Sequence, residues 1–411
     1  MNNTSWIWIV AGGVLQAPII QEAKSRGYKV IVSDRNPNAL GCQLADQVIV
    51  LDTYDVNGHK MAAETMTKKP IAVLTAGADV GPTVSAIAET LGLVAESYDV
   101  AKLCRNKFAL RNALQQEHPI YMRIEVEPST ANTLWKSRFK YKDINPYPCV
   151  IKPFEHSGSK GMVVVKSPWE WVDALRIAKH ASTPYNIVRE VIVEEFLHGD
   201  EYATDSFVNN GKIYFVNGSK RIFDAKRPGI ELGHVNPWTP PQEVLDKIQD
   251  VADKVGVTTG PLKVDFINDT RYGWLVIEAA TRFSGGFDHM TTSLAATGKD
   301  ITGAMLDYAL GNGIKKGKLR NRLNKFACAY APTFLPGKVE KWQLPEQDEN
   351  IVDVIFLSKD EIFPLKNCAN RPVFVIATGD SEESAIENAK SYSNKISVIY
   401  DNKESVYVII Q

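Results

Sequence analysis

The sequence predicts an α/β protein, with α+β parts, that is divided into three domains. A chain of 411 residues is too long for one ordinary hydrophobic core. Strand and helix signals alternate through the first hundred residues, a pattern typical of a parallel α/β domain. Short strands, a glycine-containing loop and an acid-bearing hairpin follow. We expect domains at 1–100, 101–312 and 313–411.

Composition excludes several classes of partner. The hydrophobic content of 44% and the charged content of 23% are typical of a soluble globular protein. A net charge of −1 gives no electrostatic case for nucleic acid or an anionic membrane as the main partner. No apolar run approaches the length of a membrane span. We therefore expect neither nucleic acid nor membrane as a partner.

The five cysteines are odd in number, and no two form a Cys-x-x-Cys pair. Zinc ribbons and disulfide scaffolds are disfavoured for that reason. The segment Met1–Trp6 has no basic n-region and no small-residue cleavage site, so it does not read as a secretion signal. These observations together indicate the reducing cytoplasm.

The N-terminal domain is expected to contain four parallel strands with helices between most of them. The predicted strands are Trp6–Val10, Val30–Asp34, Gln47–Leu51 and Ile71–Thr75. Ligands of such folds bind at the carboxyl ends of the strands, where Gly12, Gly13, Asp34 and Gly77 would lie. A dinucleotide site there is one interpretation. Because the Gly-x-Gly-x-x-Gly spacing is absent, a tight strand-to-helix turn is the other.

A candidate anion site follows the short apolar strand Cys149–Pro153. Lys152 lies in that strand, and the next residues are small, polar and glycine-containing. The backbone N–H groups of such a loop can fold over an anion, beside the positive charge of the lysine. The loop residues are His156, Ser157, Gly158, Ser159, Gly161 and Met162. A flexible hairpin is the alternative, and the chain contains no Walker P-loop.

A further predicted strand, Val193–Leu197, is rich in carboxylates. Its edge is suited to offer backbone groups to an adenine ring, and Glu201 is suited to accept hydrogen bonds from ribose hydroxyls. The structural alternative is an acidic, solvated strand end. Lys107 opens a predicted helix, where a lysine is usually solvated.

Two apolar strands, joined by a turn at 268–271, each carry one carboxylate. These are Asp265 and Glu278, and Arg282 follows the second acid. Burying an unpaired carboxylate costs several kcal/mol, so such acids need a partner. Two acids on neighbouring strands can share a divalent cation, and oxygen ligands beside phosphate favour magnesium over zinc. A cross-strand salt bridge with Arg282 is the alternative.

The rest of the chain gives weaker signals. We expect helices at 243–255 and 297–310, and a linker in the basic stretch 315–325. The last ninety residues carry predicted strands at 326–330, 352–357, 373–377 and 406–410. Asp380 and Glu383 fit a capping box for a helix ending near Tyr392.

The order of these features resembles the ATP-grasp superfamily. The resemblance runs from the α/β N-terminal domain to about residue 312, and it implies a three-domain ATP-grasp architecture. In such an architecture the central domain clamps the nucleotide beneath a glycine-loop lid, here at about 148–202. The implied cofactors are ATP and Mg²⁺, with Mn²⁺ as a substitute.

The resemblance also implies a role for each candidate residue. Lys107 and Lys152 would contact the ATP phosphates beneath the glycine loop. Asp265 and Glu278 would hold the metal, and Arg282 would steady an acyl phosphate together with Ser284 and Gly285. The adenine and ribose contacts would come from Glu194, Glu195, Phe196, Leu197 and Glu201.

One position departs from the usual pattern of the superfamily. Many members have asparagine two residues after the second acid, where this chain has Ala280. The resulting pattern is similar to that of the L-amino acid ligases, which make dipeptides. It implies a ligase that activates a carboxylate as an acyl phosphate and joins it to an amine, with amino acids as the small-molecule substrates.

Other interpretations stay open. A similar alanine pattern occurs in purine-pathway relatives, and a purine-type or biotin-carboxylase-type enzyme that activates formate or bicarbonate is one alternative. A nucleotide-binding regulator without catalysis is a further alternative. Homodimers are common in this layout, although no residue indicates one here. Candidate substrate residues are Arg221, Arg227, His234, Trp238 and Gly286.

Overall fold

The computed structural model describes residues 5–125, 147–181, 190–401 and 405–407. Its N-terminal part is a parallel sheet flanked by helices, in the strand order β3-β2-β1-β4. The strands are β1 (Trp6–Val10), β2 (Lys29–Asp34), β3 (Gln47–Val50) and β4 (Pro70–Leu74). The helices are α1 (Ala17–Ser25), α2 (Leu40–Leu44), α3 (Val56–Thr65), α4 (Gly81–Leu91) and α5 (Tyr98–Arg105). The predicted parallel α/β domain is confirmed.

A small antiparallel sheet follows, in the order β5-β8-β6-β7. Its elements are α6 (Lys107–Leu114), β5 (Tyr121–Glu125), β6 (Cys149–Pro153), β7 (Val163–Val165), α7 (Trp171–Ala181) and β8 (Glu190–Glu195). One apolar face of this sheet packs against α7 around the buried Trp171. Part of the predicted lid, residues 182–189, lies outside the described residues. The predicted strand Val193–Leu197 was placed too far along the chain, because β8 ends at Glu195 and the next residues turn into the following strand.

The next part of the chain forms most of a large antiparallel sheet. The chain continues with β9 (Gly199–Asn209), β10 (Lys212–Phe223), β11 (Glu231–Trp238), α8 (Gln242–Val255), β12 (Gly260–Asp269), β13 (Gly273–Ala280), α9 (Ser293–Thr297) and α10 (Ile301–Ala309). The apolar stripe of α8 packs on β12 and β13 in one core cluster. The chain therefore buries one face of the sheet that carries both predicted metal ligands.

Part of the C-terminal region extends the large sheet, and the rest of its strands form a smaller sheet. They contribute β14 (Phe326–Tyr330), β15 (Gly337–Gln343), β16 (Ile351–Phe356), β17 (Glu361–Ile362), β18 (Val373–Gly379), α11 (Glu382–Ser393), β19 (Ser397–Tyr400) and β20 (Ser405–Tyr407). The large sheet has the order β13-β12-β9-β10-β11-β14-β18-β16, and a smaller sheet has the order β17-β15-β19-β20. The mixed α/β and α+β fold class is confirmed.

Two local predictions differ from the structure, and a third lies partly outside the described residues. The predicted helix 297–310 is interrupted, because Gly298 adopts φ +71° and Asp300 caps a new helix that begins at Ile301. The capping box uses Ser381 and Ser384, one residue beyond Asp380 and Glu383, because each serine hydroxyl accepts from the other's backbone N–H. The last predicted strand, 406–410, is described only as far as residue 407.

Two backbone segments bring the N-terminal sheet against the large sheet. Gly77, in the turn after β4, has φ +69°, and a methyl group on it would lie 3.2 Å from the Cα of Gly285. Only glycine permits both this conformation and this approach. Within the described ranges, no helix has the length and apolar character needed to cross a bilayer. All five cysteines are buried and free.

Candidate active site

A cavity of about 620 Å³ lies between the N-terminal sheet, the small sheet and the large sheet. Most of the residues predicted from the sequence line it, although they come from seven different elements and three loops. The predicted residues in its wall are Lys107, Lys152, His156, Ser157, Gly158, Ser159, Met162, Glu194, Glu195, Phe196, Leu197, Glu201, Arg221, Asp265, Glu278, Arg282, Gly285 and Gly286.

Asp265 and Glu278 are directly opposite each other on the antiparallel strands β12 and β13. The ammonium group of Lys263 contacts one carboxylate oxygen of Asp265. The other oxygen, Oδ1, is buried and accepts no hydrogen bond from the described residues. An orphaned carboxylate oxygen beside a second carboxylate fits a divalent cation, and magnesium prefers such oxygen ligands. The site fits Mg²⁺ held by two carboxylates and by substrate phosphates.

The described residues contain no group of three or more His, Cys, Asp or Glu arranged to hold a metal. Magnesium sites usually take one or two carboxylates and complete their coordination with phosphate and water. The cross-strand salt bridge considered as an alternative is not what the structure shows. The carboxylate nearest to the guanidinium of Arg282 is that of Asp79, at 3.7 Å from Nε.

Two lysines neutralise the charge of Glu278. The Nζ of Lys107 lies 3.0 Å from its Oε1. Burial by itself raises the pKa of Glu278, but the charges of Lys107 and Lys263 outweigh it and lower the pKa to about 2. Glu278 is therefore ionised near neutral pH, as a metal ligand must be.

Lys152 is held by a buried carboxylate. The two oxygens of Glu194 accept from Lys152 Nζ at 2.6 Å and from Arg111 Nε at 2.7 Å. Burial opposes ionisation of Glu194, yet Arg111 and Lys152 lower its pKa to about 2. Glu194 was predicted to line the adenine site. Its carboxylate fixes the position of Lys152, the lysine predicted to contact the ATP phosphates.

The segment Glu195–Leu197 lines the cavity, and the carboxylate of Glu195 contacts other protein side chains. The carboxylate of Glu195 accepts from His118, Arg271 and the hydroxyl of Tyr272, so it is not free to bind a ligand. Glu195 lines the cavity, and the offer of backbone groups to an adenine ring by this strand edge stays a prediction. The pKa of Glu201 rises to about 7, because the residue is buried and lies near Asp265.

The glycine loop adopts a strained backbone that small residues allow. Gly158, Ser159 and Gly161 have φ values of +65°, +59° and +72°. The hydroxyl of Ser159 donates to the carbonyl of Gly229 at 2.5 Å, and the carbonyl of Gly158 accepts from the backbone of Cys368 at 3.0 Å. The loop is therefore closed over the cavity and held from both sides.

Two arginines, Arg221 and Arg282, also line the cavity. Arg282 is only 6% exposed, and its Nη1 donates to the carbonyl of Phe283 at 2.9 Å. Arg221 lies 2.9 Å from Glu231, 3.3 Å from the hydroxyl of Ser284 and 3.8 Å from Asp265. Both guanidinium groups are positioned to receive an anionic substrate group.

Several predicted residues lie away from the cavity wall. Ser284 is fully buried, and its N–H and hydroxyl both donate to Asp205. His234 is also fully buried, with Nε2 3.1 Å from the hydroxyl of Thr292.

The remaining candidates, Arg227, Trp238 and Gly161, contact other protein groups. Arg227 pairs with Asp224 and its side chain is 42% exposed. Trp238 stacks on Tyr202, with ring centroids 4.3 Å apart. Gly161 packs against α7, where a methyl group on it would meet Ala181. These three residues are not among those that line the cavity.

The sequence interpretation missed Arg111, Lys263 and Arg371. Arg111 follows Lys107 by four residues on one helix face, and Lys263 precedes Asp265 by two on one strand face. Those spacings were available signals. Arg371, in contrast, lines the cavity from the turn before β18, and no local sequence pattern marks it.

The dinucleotide alternative for the N-terminal turn has no free acid to support it. Asp34 Oδ2 accepts from the backbone N–H of Gly12 at 2.9 Å, and its Oδ1 accepts from Asn36 at 2.8 Å. The aspartate thus closes the turn, as the second interpretation predicted.

Comparison with known proteins assigns this architecture to a class. A family model described as "ATP-grasp domain" matches residues 145–289, which include the glycine loop, both carboxylates and Arg282. Residues 145–289 are therefore similar to an ATP-grasp domain, and the chain has the ATP-grasp fold, as predicted. ATP and Mg²⁺, the predicted cofactors, are those that the ATP-grasp family uses.

The names of individual relatives describe a narrower activity than the family model does. The chain is 23% identical to the formate-dependent phosphoribosylglycinamide formyltransferase of Psychromonas ingrahamii over 97% of both chains. It is 25% identical to the enzyme of the same name from Methanocaldococcus jannaschii, over 60% of this chain and 61% of that protein. This second match therefore spans less than two thirds of the relative.

A solved L-amino acid ligase from Bacillus licheniformis has the same fold, with a TM-score of 0.76 and 20% identity over 98% of this chain and all of that one. These findings support an ATP-grasp ligase. The names of the curated relatives point to formate rather than to amino acids, so dipeptide synthesis is not specifically supported.

Proposed function

We propose that the protein is an ATP-dependent ligase that converts a carboxylate to an acyl phosphate and transfers the acyl group to an amine. The observation that carries this proposal is the pairing of Asp265 with Glu278 in the wall of one cavity. The same wall holds the phosphate lysines, the closed glycine loop and Arg282.

The chemistry has two steps. A carboxylate oxygen attacks the γ-phosphorus of ATP, the bond to the bridging oxygen breaks, and ADP leaves. The amine nitrogen then attacks the acyl carbon, the bond to phosphate breaks, and the proton lost by nitrogen leaves with phosphate. Bound Mg²⁺ neutralises charge on the phosphoryl group.

The side chains of this chain bind and orient the reactants. Lys107 and Lys152 are placed to bind phosphate oxygens, and the glycine loop excludes water that would hydrolyse the acyl phosphate. Arg282 is placed to orient the substrate carboxylate and then to stabilise the oxyanion. Arg221, on the other side of Asp265, is placed to assist it.

Formate is our first candidate for the acid. The support is the name shared by the curated relatives, one of which aligns over nearly the whole chain. A small acid also suits the reacting end, where the backbones of Gly77 and Gly285 are in contact. In the relatives so named the amine carries a phosphoribosyl group.

An amino acid is the second candidate for the acid. The observation that favours it is Ala280 between Glu278 and Arg282, the alanine pattern that resembles the L-amino acid ligases. Ala280 is buried at 5% exposure and supplies no oxygen ligand. Fewer ligands from the protein leave more of the metal's coordination to substrate and water.

Trapping of the acyl phosphate tests the proposal. The protein is incubated with ATP, Mg²⁺ and hydroxylamine, and with formate, bicarbonate or single L-amino acids, while ADP and hydroxamate are measured. Hydroxamate from formate supports the first candidate, and hydroxamate from an amino acid the second. ADP release with bicarbonate alone would indicate a carboxylase-type enzyme. No acid-dependent ADP release would contradict the ligase and favour a regulator.

A further inference from the structure

Lys263 is a buried lysine on the strand that carries the first predicted metal ligand. It precedes Asp265 by two residues on β12, so the two side chains are on the same face of the strand. Both residues line the cavity, and the side chain of Lys263 is only 8% exposed. The alternate residues Leu262, Val264 and Phe266 belong to the core cluster that also contains α8. The lysine is therefore held on the cavity face of the sheet.

The register of the sheet makes Ala280 of β13 the direct cross-strand partner of Lys263. The next pair on this face of the same two strands is Asp265 with Glu278. Residues two apart on a strand share a face, so an oxygen-bearing side chain at position 280 would add a ligand beside Glu278. This chain has a buried methyl group at that position, and a positive charge on the residue opposite it.

Carboxyl groups from three adjacent strands surround the ammonium group of Lys263. It contacts Oδ2 of Asp265 on its own strand, and its charge also acts on Glu278 of β13. On the other side Lys263 is opposite Asp205 of β9, and its charge acts on that buried carboxyl group as well. Such oxygen-rich surroundings suit a cation, and in this chain the lysine supplies one.

Enzymes that act on phosphates often hold two metal ions about 3.5–4 Å apart, so that both sides of the transferred group are neutralised. Two features oppose a second metal ion in this chain. Ala280 offers it no oxygen ligand, and the ammonium group of Lys263 would repel it, since like charges a few Å apart are unfavourable. The unpaired Oδ1 of Asp265 and the carboxylate of Glu278 suffice for one cation completed by phosphate and water.

We propose that the ammonium group of Lys263 takes the place of a second metal ion, so that this chain binds ATP with a single divalent cation. This deepens the ligase function proposed above and rests on it. Asp265 and Glu278 hold the one cation, and Lys263 supplies a fixed positive charge beside it. A lysine there neutralises negative charge on the phosphates as a point charge, and it is present at every concentration of free metal.

A count of bound Mn²⁺ tests the proposal without any turnover. The full chain is mixed with an equimolar amount of AMP-PNP, an ATP analogue that is not cleaved, well above its Kd. Mn²⁺ is then titrated in, and its free concentration and spectrum are measured by electron paramagnetic resonance. We expect one Mn²⁺ per bound nucleotide, without spin coupling. A second Mn²⁺ that is spin-coupled to the first would overturn the proposal.

Variants at positions 263 and 280 separate the lysine from the missing ligand. The double variant Lys263→Met/Ala280→Asn is expected to bind two spin-coupled Mn²⁺ per nucleotide, because the repelling charge is removed and an oxygen ligand is supplied. Ala280→Asn by itself should still bind one, since the ammonium group remains. A count of one in the folded double variant would contradict the proposal. Where the double variant does not fold, the count in the wild type decides.

The rate of ADP release gives a second readout. We expect Lys263→Met to lower acid-dependent ADP release roughly 100- to 1,000-fold at saturating Mg²⁺, whereas Lys263→Arg should keep part of it. Lys212→Met, at an exposed position on β10 of the same sheet, is the matched control and should leave the rate unchanged. Equal rates for Lys263→Met and Lys212→Met would remove Lys263 from the reaction.

Hydroxylamine trapping separates the failure of this inference from the failure of the ligase. Hydroxamate formation by a wild type that holds two spin-coupled Mn²⁺ leaves the ligase standing and removes the role of Lys263. Absence of hydroxamate with every acid removes the ligase, and with it the reaction in which the lysine would act. One Mn²⁺ per nucleotide together with hydroxamate formation supports both.

Discussion

Lys107 Nζ lies 3.0 Å from Glu278 Oε1 and donates to the carbonyl of His156 at 2.5 Å. One ammonium group thus joins the start of α6, the second carboxylate of the hairpin and the glycine loop. We predict that the same ammonium group contacts a phosphate oxygen of ATP.

Replacement of Lys107 should weaken nucleotide binding. Hydrogen bonds from a charged donor contribute about 1.5–3 kcal/mol, so we expect Lys107→Met to raise the Kd for ATP·Mg roughly 10- to 150-fold. Isothermal titration calorimetry measures the change. Lys102→Met, at an exposed position on α5, should leave the Kd unchanged. Equal affinities for the two variants would remove Lys107 from the phosphate site.

The two hairpin carboxylates should control the dependence on magnesium. We expect Asp265→Asn combined with Glu278→Gln to abolish the Mg²⁺-dependent part of ATP affinity and to reduce acid-dependent ADP release by at least about 100-fold. Calorimetry with and without Mg²⁺ measures the first effect. Glu243→Gln, an exposed acid on α8, is the control. Undiminished ATP·Mg binding by the double variant would contradict the assignment of the metal site.

Asp79 should affect the acid substrate without affecting ATP. Its Oδ1 lies 3.7 Å from Nε of Arg282, and both side chains are almost completely buried. We expect Asp79→Asn to lower kcat/KM for the carboxylate about 10-fold, because the guanidinium loses the charge that orients it. Asp79→Glu should restore part of this, and the KM for ATP should not change. A parallel rise in both KM values would indicate general disruption.

The buried pair of Glu194 with Lys152 and Arg111 should make stability depend on pH. Removing one partner of a buried ion pair costs roughly 3–5 kcal/mol, which we expect for Glu194→Gln at pH 7. The pKa of Glu194 is lowered to about 2 from an ordinary 4.5, so its contribution is complete above pH 4.5 and is lost as the pH falls towards 2.

Urea unfolding at a series of pH values measures this dependence. The difference in unfolding free energy between the wild type and Glu194→Gln should be constant from pH 7 to about pH 5 and should shrink below pH 4.5. Glu243→Gln again serves as the control, since its side chain is 60% exposed. A difference that stays constant down to pH 3 would show that Glu194 is not held ionised by its neighbours.

Much of the cavity follows from local sequence patterns. An acid within an apolar strand, a lysine at a strand end and a glycine-bearing loop are each unusual, because burial or strain there has to be compensated. Asp265, Glu278, Lys152 and the loop were predicted on that basis, and all line one cavity. Their predicted roles as ligands of ATP and metal await the measurements above.

Residues that meet only through tertiary packing were not predicted. Asp79 reaches Arg282 across the contact between Gly77 and Gly285, and Arg371 reaches the cavity from β18 and its preceding turn. His234 shows the opposite error, because a polar strand residue was expected at the amine and is instead fully buried. Which face of a bent, bulged strand points inward depends on its neighbours in the sheet.

Sequence by itself determined the alternating α/β order, the pairing of two acids on a hairpin and the resemblance to ATP-grasp enzymes. Those features are written within short windows, where apolar periodicity and misplaced charge are visible. Tertiary structure alone decided that β14, β16 and β18 join the large sheet and that Leu15, Leu357 and Arg371 line one cavity. Such contacts connect residues hundreds of positions apart, and their free energy depends on a burial that no local window encodes.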